Sequence, residues 1–162
     1  MKFKILLSAA LLTFFGSGAL CAQNQDPVSV PLEEALETAA ESGKKILLDV
    51  YVEWCPYCQR MHGETYTDNE VLKAISEHFL WVRINAESEQ KVNYLGTELS
   101  MIHFAQALEN RSFPTTYFMN QEGNIIAVQP GYLDSGIFAD ILNFVGSDAY
   151  LQMDFESFQN LN

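Results

Sequence analysis

A predicted strand that runs directly into a Cys-x-x-C motif is the feature that most constrains this fold. Residues 44–60 read KKILLDVYVEWCPYCQR, and residues 46–52 form a nearly continuous apolar run of β-prone side chains. Such a run is typical of a central strand that is covered on both faces. The sequence therefore predicts a buried strand that ends close to the two cysteines.

Cys55 lies where this strand gives way to a helix. Pro56 suits the first turn of a helix, because the N–H group that proline lacks would have no partner there. The partial positive charge of a helix N-terminus stabilises a thiolate, which is the attacking species in disulfide exchange. Cys58 is one helical turn further on and can attack a mixed disulfide formed at Cys55. We therefore expect Cys55 to be the exposed, reactive thiol and Cys58 the shielded one.

A Cys-x-x-C pair is also compatible with half a zinc site or with a structural disulfide. A zinc site needs two further ligands, but His62, His78 and His103 fall on separate predicted elements without ligand-pair spacing. A disulfide across three residues closes too small a loop to constrain much of the chain. We therefore predict a reactive dithiol and no metal. His62, four residues after Cys58, is expected to be a solvated helix residue, with modulation of the resolving thiol as the alternative.

Residues 1–22 have the pattern of a secretory signal peptide. Lys2 and Lys4 precede an apolar run over residues 5–15, and small residues follow. The apolar run is too short to span a membrane, and the whole pattern is that of an export signal. We therefore predict an exported, periplasmic or otherwise extracytoplasmic protein.

Cleavage of this signal is predicted after Ala22, which leaves a single domain over residues 23–162. A lipid anchor at Cys21 is the alternative. Leu20 fits that alternative poorly, because signals that resemble the lipoprotein pattern have a small residue at this position. After cleavage the chain keeps two cysteines, and in an oxidising compartment two cysteines this close form a reactive pair rather than a scaffold.

The composition argues against nucleic acid as a partner. The chain has 9 basic and 21 acidic residues, a formal net charge of −12, and no basic cluster. Proteins that bind nucleic acid present a basic patch to the phosphate backbone. No nucleic-acid partner is therefore expected.

Hydrophobic spacing and turn residues predict the remaining elements. We expect helices over residues 32–42, 97–110, 135–145 and 154–161, strands over residues 79–84, 116–119 and 125–128, and a loop over residues 85–96. A capping box over residues 67–70 is predicted to start a helix after an interruption at Gly63. Pro114 precedes a predicted strand, a position where proline is out of place unless the local backbone is special.

The segment LLDVYVEWCPYC resembles the active-site strand and helix start of the thioredoxin family. In this resemblance Asp49, six residues before Cys55, matches the buried acid of the family. The segment RSFPT over residues 111–115 matches the loop with a cis-proline that faces the two cysteines. Gly131 matches a glycine that keeps space beside the active site.

The resemblance implies a thioredoxin-like α/β fold, with a central mixed sheet flanked by helices, and a thiol–disulfide oxidoreductase. Cys55 would be the nucleophile and Cys58 the resolving thiol. Asp49, if buried beneath them, would accept the proton of Cys58, because burial favours the protonated form of a carboxyl group. The implied substrate-binding residues are Trp54, Pro56, Tyr57, Phe113, Pro114, Thr115 and Gly131. The only redox group implied is the Cys55–Cys58 disulfide, with no separate cofactor.

The dipeptide Pro56-Tyr57 departs from thioredoxin, which has Gly-Pro there, and matches glutaredoxin. Thioredoxin has a potential of about −270 mV and glutaredoxins about −200 to −230 mV. We expect a reductase of disulfide-containing proteins that is recharged by a membrane-bound electron donor. The alternatives are an exported disulfide oxidase or isomerase, or a non-catalytic binding module with a thioredoxin fold.

Overall fold

The computed structural model describes residues 28–161, so the predicted signal peptide and Cys21 lie outside the described residues. The strands are β1 (Lys45–Tyr51), β2 (Phe79–Asn85), β3 (Lys91–Tyr94), β4 (Thr97–Ser100), β5 (Thr115–Met119) and β6 (Ile125–Pro130). The helices are α1 (Leu32–Ser42), α2 (Pro56–Arg60), α3 (Asn69–His78), α4 (Met101–Ala107), α5 (Ser135–Gly146) and α6 (Phe155–Gln159). A π-helical turn spans Met61–Thr65 and a 3-10 turn spans Ala149–Leu151.

The main sheet has four strands in the order β2-β1-β5-β6, and it is mixed, as predicted. Strand β1 runs parallel to β2 and antiparallel to β5, and β6 is antiparallel to β5. Strand β1 is buried from Lys45 to Val50. Ile46 and Leu48 join the apolar cluster that contains α1 and α4, whereas Leu47 joins the cluster that contains α3 and α5. This alternation confirms a central strand covered on both faces.

The region between β2 and α4 differs from its prediction. Strands β3 and β4 form an antiparallel hairpin, so the predicted loop and the predicted start of a helix at Thr97 are both wrong. The hairpin turn places Leu95 and Gly96 at φ values of 50° and 84°. Two-residue hairpin turns need such positive angles, and leucine is an unusual residue for one, which is why the usual turn signal was absent. Helix α4 begins only at Met101.

The N-cap of helix α3 lies one residue after Thr67, the N-cap of the predicted capping box. Its N-cap is Asp68, whose Oδ1 accepts hydrogen bonds from the N–H groups of Glu70 at 2.9 Å and Val71 at 3.4 Å. The predicted interruption at Gly63 is present as the π-helical turn, in which the N–H of Tyr66 donates to the carbonyl oxygen of Met61 at 2.9 Å. A π-turn carries one more residue than an α-turn and so rotates the side chains that follow.

The other predicted helices and strands are present within two residues of their predicted bounds. On α5, Ile137 was expected to face inward but is 39% exposed. Within residues 28–161, no helix combines the length and the hydrophobicity that crossing a membrane requires.

Candidate active site

Cys55 is the N-cap residue of α2, as its sequence position indicated. Its backbone is extended, with φ −79° and ψ 113°, and its Sγ accepts a hydrogen bond from the N–H of Cys58 at 3.3 Å. The Cys55 thiol in turn faces the carbonyl oxygen of Phe113 at 3.5 Å. Pro56 occupies the first helical position and is exposed. The sulfur therefore sits between the amide donors of a helix start and the loop that contains Phe113.

Both cysteines are buried in the structure. Cys55 is 5% exposed and Cys58 is 1% exposed, and both are free thiols. The expectation that Cys55 is exposed is therefore wrong, because the loop at Phe113 closes over its sulfur. The order of the two thiols still matches the prediction, since Cys58 lies deeper than Cys55.

Burial has a large effect on Cys58. Burial, together with the neighbouring Cys55 and the charge of Asp49, raises the pKa of the Cys58 thiol to about 12. A thiol with this pKa is protonated at neutral pH and cannot attack a disulfide. Cys58 therefore needs a nearby group that accepts its proton.

Asp49 is the acidic residue whose charge adds to the raised pKa of Cys58. It is fully buried, as expected, and lies in register with Arg83 on β2 and Thr116 on β5. Its Oδ2 lies 2.5 Å from Nε2 of His62 and 3.5 Å from Nε of Arg83, the latter an ion pair that is too long for a hydrogen bond. Its Oδ1 is buried and has no hydrogen-bond partner among the described residues.

The structure places His62 in the active site, and the expectation of a solvated residue is therefore wrong. Its side chain is 22% exposed and packs edge-on against Tyr51, with ring centroids 5.1 Å apart. The NH2 group of Arg83 lies 2.6 Å from Nδ1 of His62. Arg83 also covers the ring of Tyr51 at 4.4 Å from its centroid. In the sequence, Arg83 stands out only as a single basic residue within the apolar run that forms β2.

The loop before β5 has the predicted cis peptide bond between Phe113 and Pro114. The carbonyl oxygen of Pro114 accepts a hydrogen bond from the N–H of Gly131 at 2.8 Å. Gly131 has φ 89°, an angle that favours glycine, and an added Cβ would meet no protein atom within 4 Å. Thr115 is buried, and its hydroxyl donates to the carbonyl oxygen of Ser112 at 2.7 Å. The Thr115 side chain therefore supports the loop.

Two exposed aromatic side chains flank the cysteines. Trp54 is 65% exposed and Tyr57 is 60% exposed. The indole N–H of Trp54 donates to the carboxylate of Glu87, with distances of 3.0 and 3.1 Å to its two oxygens. Tyr57 lies beside Tyr132, with ring centroids 6.2 Å apart. Glu87 and Tyr132 were not predicted at the site, because nothing in the sequence joins them to Trp54 or Tyr57.

Comparison with known proteins agrees with this geometry. The family model described as "Thioredoxin-like domain" matches residues 32–146, which is more than half of the chain. The thiol:disulfide interchange protein DsbD of Citrobacter koseri is 30% identical over 135 residues, which cover 72% of this chain and 23% of that protein. Protein disulfide isomerase-like 1-1 of Arabidopsis thaliana is 26% identical over 110 residues, which cover 67% of this chain and 19% of that protein.

Among solved structures, a thioredoxin-fold protein from Helicobacter pylori superposes with a TM-score of 0.63 and 24% identity, covering 75% of this chain and 88% of that one. This likeness concerns the fold. The chain spans only about a fifth of the length of these two curated relatives, 23% of DsbD and 19% of the isomerase-like protein.

Proposed function

The chain belongs to the thioredoxin-like family of thiol–disulfide oxidoreductases, and from that premise we propose that it is an exported reductase of protein disulfides. Its substrates would be proteins that contain disulfides, and its electrons would come from a membrane-bound donor. The export signal predicted in residues 1–22 supports the exported setting.

One observation carries the proposal. The Cys55 sulfur accepts a hydrogen bond from the N–H of Cys58 at a helix start, and burial raises the pKa of the Cys58 thiol, so that its proton needs an acceptor. Asp49 is a buried acid whose charge adds to that raised pKa, and one of its oxygens has no hydrogen-bond partner among the described residues. A nucleophile, a resolving thiol and a base at one site are the parts that disulfide exchange requires.

The reaction then has two exchange steps. The Cys55 thiolate attacks a substrate disulfide, forms a mixed disulfide and releases the first substrate sulfur as a thiolate. Cys58 gives its proton to Asp49 and attacks the Cys55 sulfur. The bond between Cys55 and the substrate breaks, the second substrate thiolate leaves, and a Cys55–Cys58 disulfide remains. Two electrons have passed from the protein dithiol to the substrate.

The substrate chain would lie along the loop at Phe113 and Pro114. Trp54 and Tyr57 supply exposed apolar surface beside the sulfur, and the backbone next to the loop offers strand-like pairing for an extended segment. Gly131, whose N–H bonds to Pro114 in this loop, leaves open space where a side chain would otherwise lie. These contacts favour an extended peptide over a small molecule.

The buried acid promotes attack by Cys58 and so the release of reduced substrate, and we propose reduction as the net direction. The DsbD relatives, named for thiol:disulfide interchange, are several times longer than the aligned region. We propose that a separate membrane-bound donor restores the dithiol of this chain.

Catalysed reduction of insulin by dithiothreitol tests the proposal, with Cys55→Ser as the matched control. Wild type should accelerate precipitation of the insulin chains, and Cys55→Ser should not. Equilibration with glutathione measures the potential. No acceleration by wild type would indicate a binding module, and a potential above about −180 mV, the value of protein disulfide isomerase, would indicate an oxidase or isomerase.

A further inference from the structure

His62 connects two charged groups behind the cysteines. Its Nε2 lies 2.5 Å from Oδ2 of Asp49. The NH2 group of Arg83 lies 2.6 Å from Nδ1 of His62 and 3.1 Å from Nε2, so its shorter contact is with Nδ1. The imidazole therefore has a carboxylate at one ring nitrogen and a guanidinium at the other.

These two neighbours determine which ring nitrogen carries the proton. The guanidinium of Arg83 can only donate hydrogen bonds, so Nδ1 of His62 must accept. A neutral imidazole that accepts at one nitrogen carries its proton on the other. Nε2–H of His62 thus donates to Oδ2 of Asp49, and the contact holds the carboxylate in one orientation.

The other oxygen of Asp49 is left free. Oδ1 has no hydrogen-bond partner among the described residues although it is buried. Burial is the main cause of the raised pKa of Cys58 and of Tyr66, and the charge of Asp49 adds to it in both cases. A buried acceptor without a donor is costly, and an unpartnered oxygen on a carboxylate that is held by His62 indicates a role in the reaction.

The neighbouring tyrosines do not compete for this proton. Burial raises the pKa of Tyr51, with the charge of Arg83 opposing that rise and Glu53 adding to it. Burial raises the pKa of Tyr66 well above its usual value. Both phenols therefore stay protonated at neutral pH.

We propose that His62 is a positioning residue for the resolving step, holding Oδ2 of Asp49 so that Oδ1 receives the proton of Cys58. This role rests on the proposed function. In the step, the S–H bond of Cys58 breaks, an O–H bond forms at Oδ1, and the Cys58 sulfur bonds to the Cys55 sulfur as the substrate thiolate leaves. His62 keeps its own proton throughout.

A reaction of reduced protein with a nitrobenzoate disulfide separates the two steps. The disulfide is added at less than one equivalent relative to the protein. Attack by Cys55 releases one coloured thiolate, and attack by Cys58 on the mixed disulfide releases a second. The variants are His62→Leu, which removes the donor, and His62→Gln, which keeps an N–H donor at a similar position. His103→Leu is the matched control, since His103 is an exposed histidine that contacts Ser100 away from the site.

In His62→Leu the second phase should slow by about tenfold, part of what a general base contributes, while the first phase stays unchanged. His62→Gln should restore most of the rate, and His103→Leu should match wild type in both phases.

An unchanged second phase in His62→Leu would overturn this role, as would equal slowing in His62→Leu and His62→Gln. Wild type that releases no second thiolate would refute the proposed function itself, and this role with it. Nitrogen NMR of wild type needs no variant, and it should show His62 protonated at Nε2. A proton on Nδ1 would overturn the role even if His62→Leu fails to fold.

Discussion

The two ends of the active site hold their sulfur atoms in opposite ways. The mouth of the site consists of Trp54, Cys55, Tyr57 and Phe113. The floor consists of Asp49, Cys58, His62 and Arg83. At the mouth, backbone groups contact the Cys55 sulfur: the N–H of Cys58 and the carbonyl oxygen of Phe113. At the floor, the Cys58 thiol is buried. Burial is the main cause of its raised pKa, and the charge of Asp49 adds to it.

Under the proposed function, this difference gives two cysteines three residues apart separate tasks. At the mouth, the Cys55 sulfur accepts a backbone hydrogen bond that does not depend on side-chain charge. At the floor, burial keeps the Cys58 thiol protonated, and Asp49 is the proposed base for the moment at which the proton must leave. Changes to the floor should therefore affect the second exchange step, and changes to the mouth the first step or substrate binding.

The largest effect is expected for the cysteines themselves. Cys58→Ser should abolish turnover and accumulate mixed disulfides at Cys55, because the resolving attack is lost while the nucleophile remains. Cys55→Ser should abolish turnover without accumulation. Non-reducing electrophoresis of each variant after exposure to substrate measures the trapped species, and equal trapping by both variants would contradict the separation of tasks.

Asp49→Asn should slow the second phase by about a hundredfold at neutral pH, since a general base contributes about 10²–10⁴-fold. Without a base, the step depends on the thiolate fraction of Cys58, whose pKa is raised to about 12 chiefly by burial. The rate of the variant should then rise by about tenfold for each pH unit through the neutral and mildly alkaline range. A second phase with the wild-type rate and pH profile would show that Asp49 is not the proton acceptor.

Arg83→Met should lower the free energy of unfolding by about 3 kcal/mol, because it leaves the buried charge of Asp49 without its cationic partner. Urea denaturation measures this loss. Arg60→Met is the matched control, since the ion pair of Arg60 with Glu64 lies at the surface. Arg60→Met should leave the urea denaturation midpoint nearly unchanged. Equal losses of stability in the two variants would show that the buried pair contributes no more than the exposed pair.

The smallest effect is expected at the mouth. Trp54→Phe keeps an aromatic ring but loses the hydrogen bond to Glu87, which is exposed. A solvent-exposed hydrogen bond contributes little, so the KM for a peptide disulfide should rise by about twofold with kcat unchanged. Glu87→Ala, which removes the acceptor, should behave in the same way. A large fall in kcat in either variant would show that the mouth also acts in the chemical steps.

The sequence predicts the features of the site that rest on local pattern. The helix start at Cys55, the burial of Asp49 and the special backbone at Pro114 each follow from a few neighbouring residues and the family resemblance. The contact between His62 and Arg83 does not, because it depends on a π-helical turn and on the register of β1 against β2. Neither the turn geometry nor the register is visible in a single short segment.

The predicted exposure of Cys55 and the predicted loop over residues 85–96 are wrong for related reasons. Cys55 is covered by a loop 58 residues away along the chain, so its exposure depends on tertiary packing. The β3–β4 hairpin turns through a leucine in a left-handed conformation, whereas the sequence rule expects glycine or asparagine. In both cases long-range packing outweighed the local signal.

The hairpin also has a consequence for how this chain tolerates insertions and changes in length. The backbone bonds from Met101 to Gln90, at 2.9 Å, and from Ile102 to Ser88, at 3.1 Å, hold the two ends of the excursion together. Val92 anchors it in the core, whereas Leu95 at the tip is 58% exposed. A lineage could therefore lengthen or replace the tip while these end bonds keep the base of the hairpin in place, and an epitope or a fluorescent label could be inserted there.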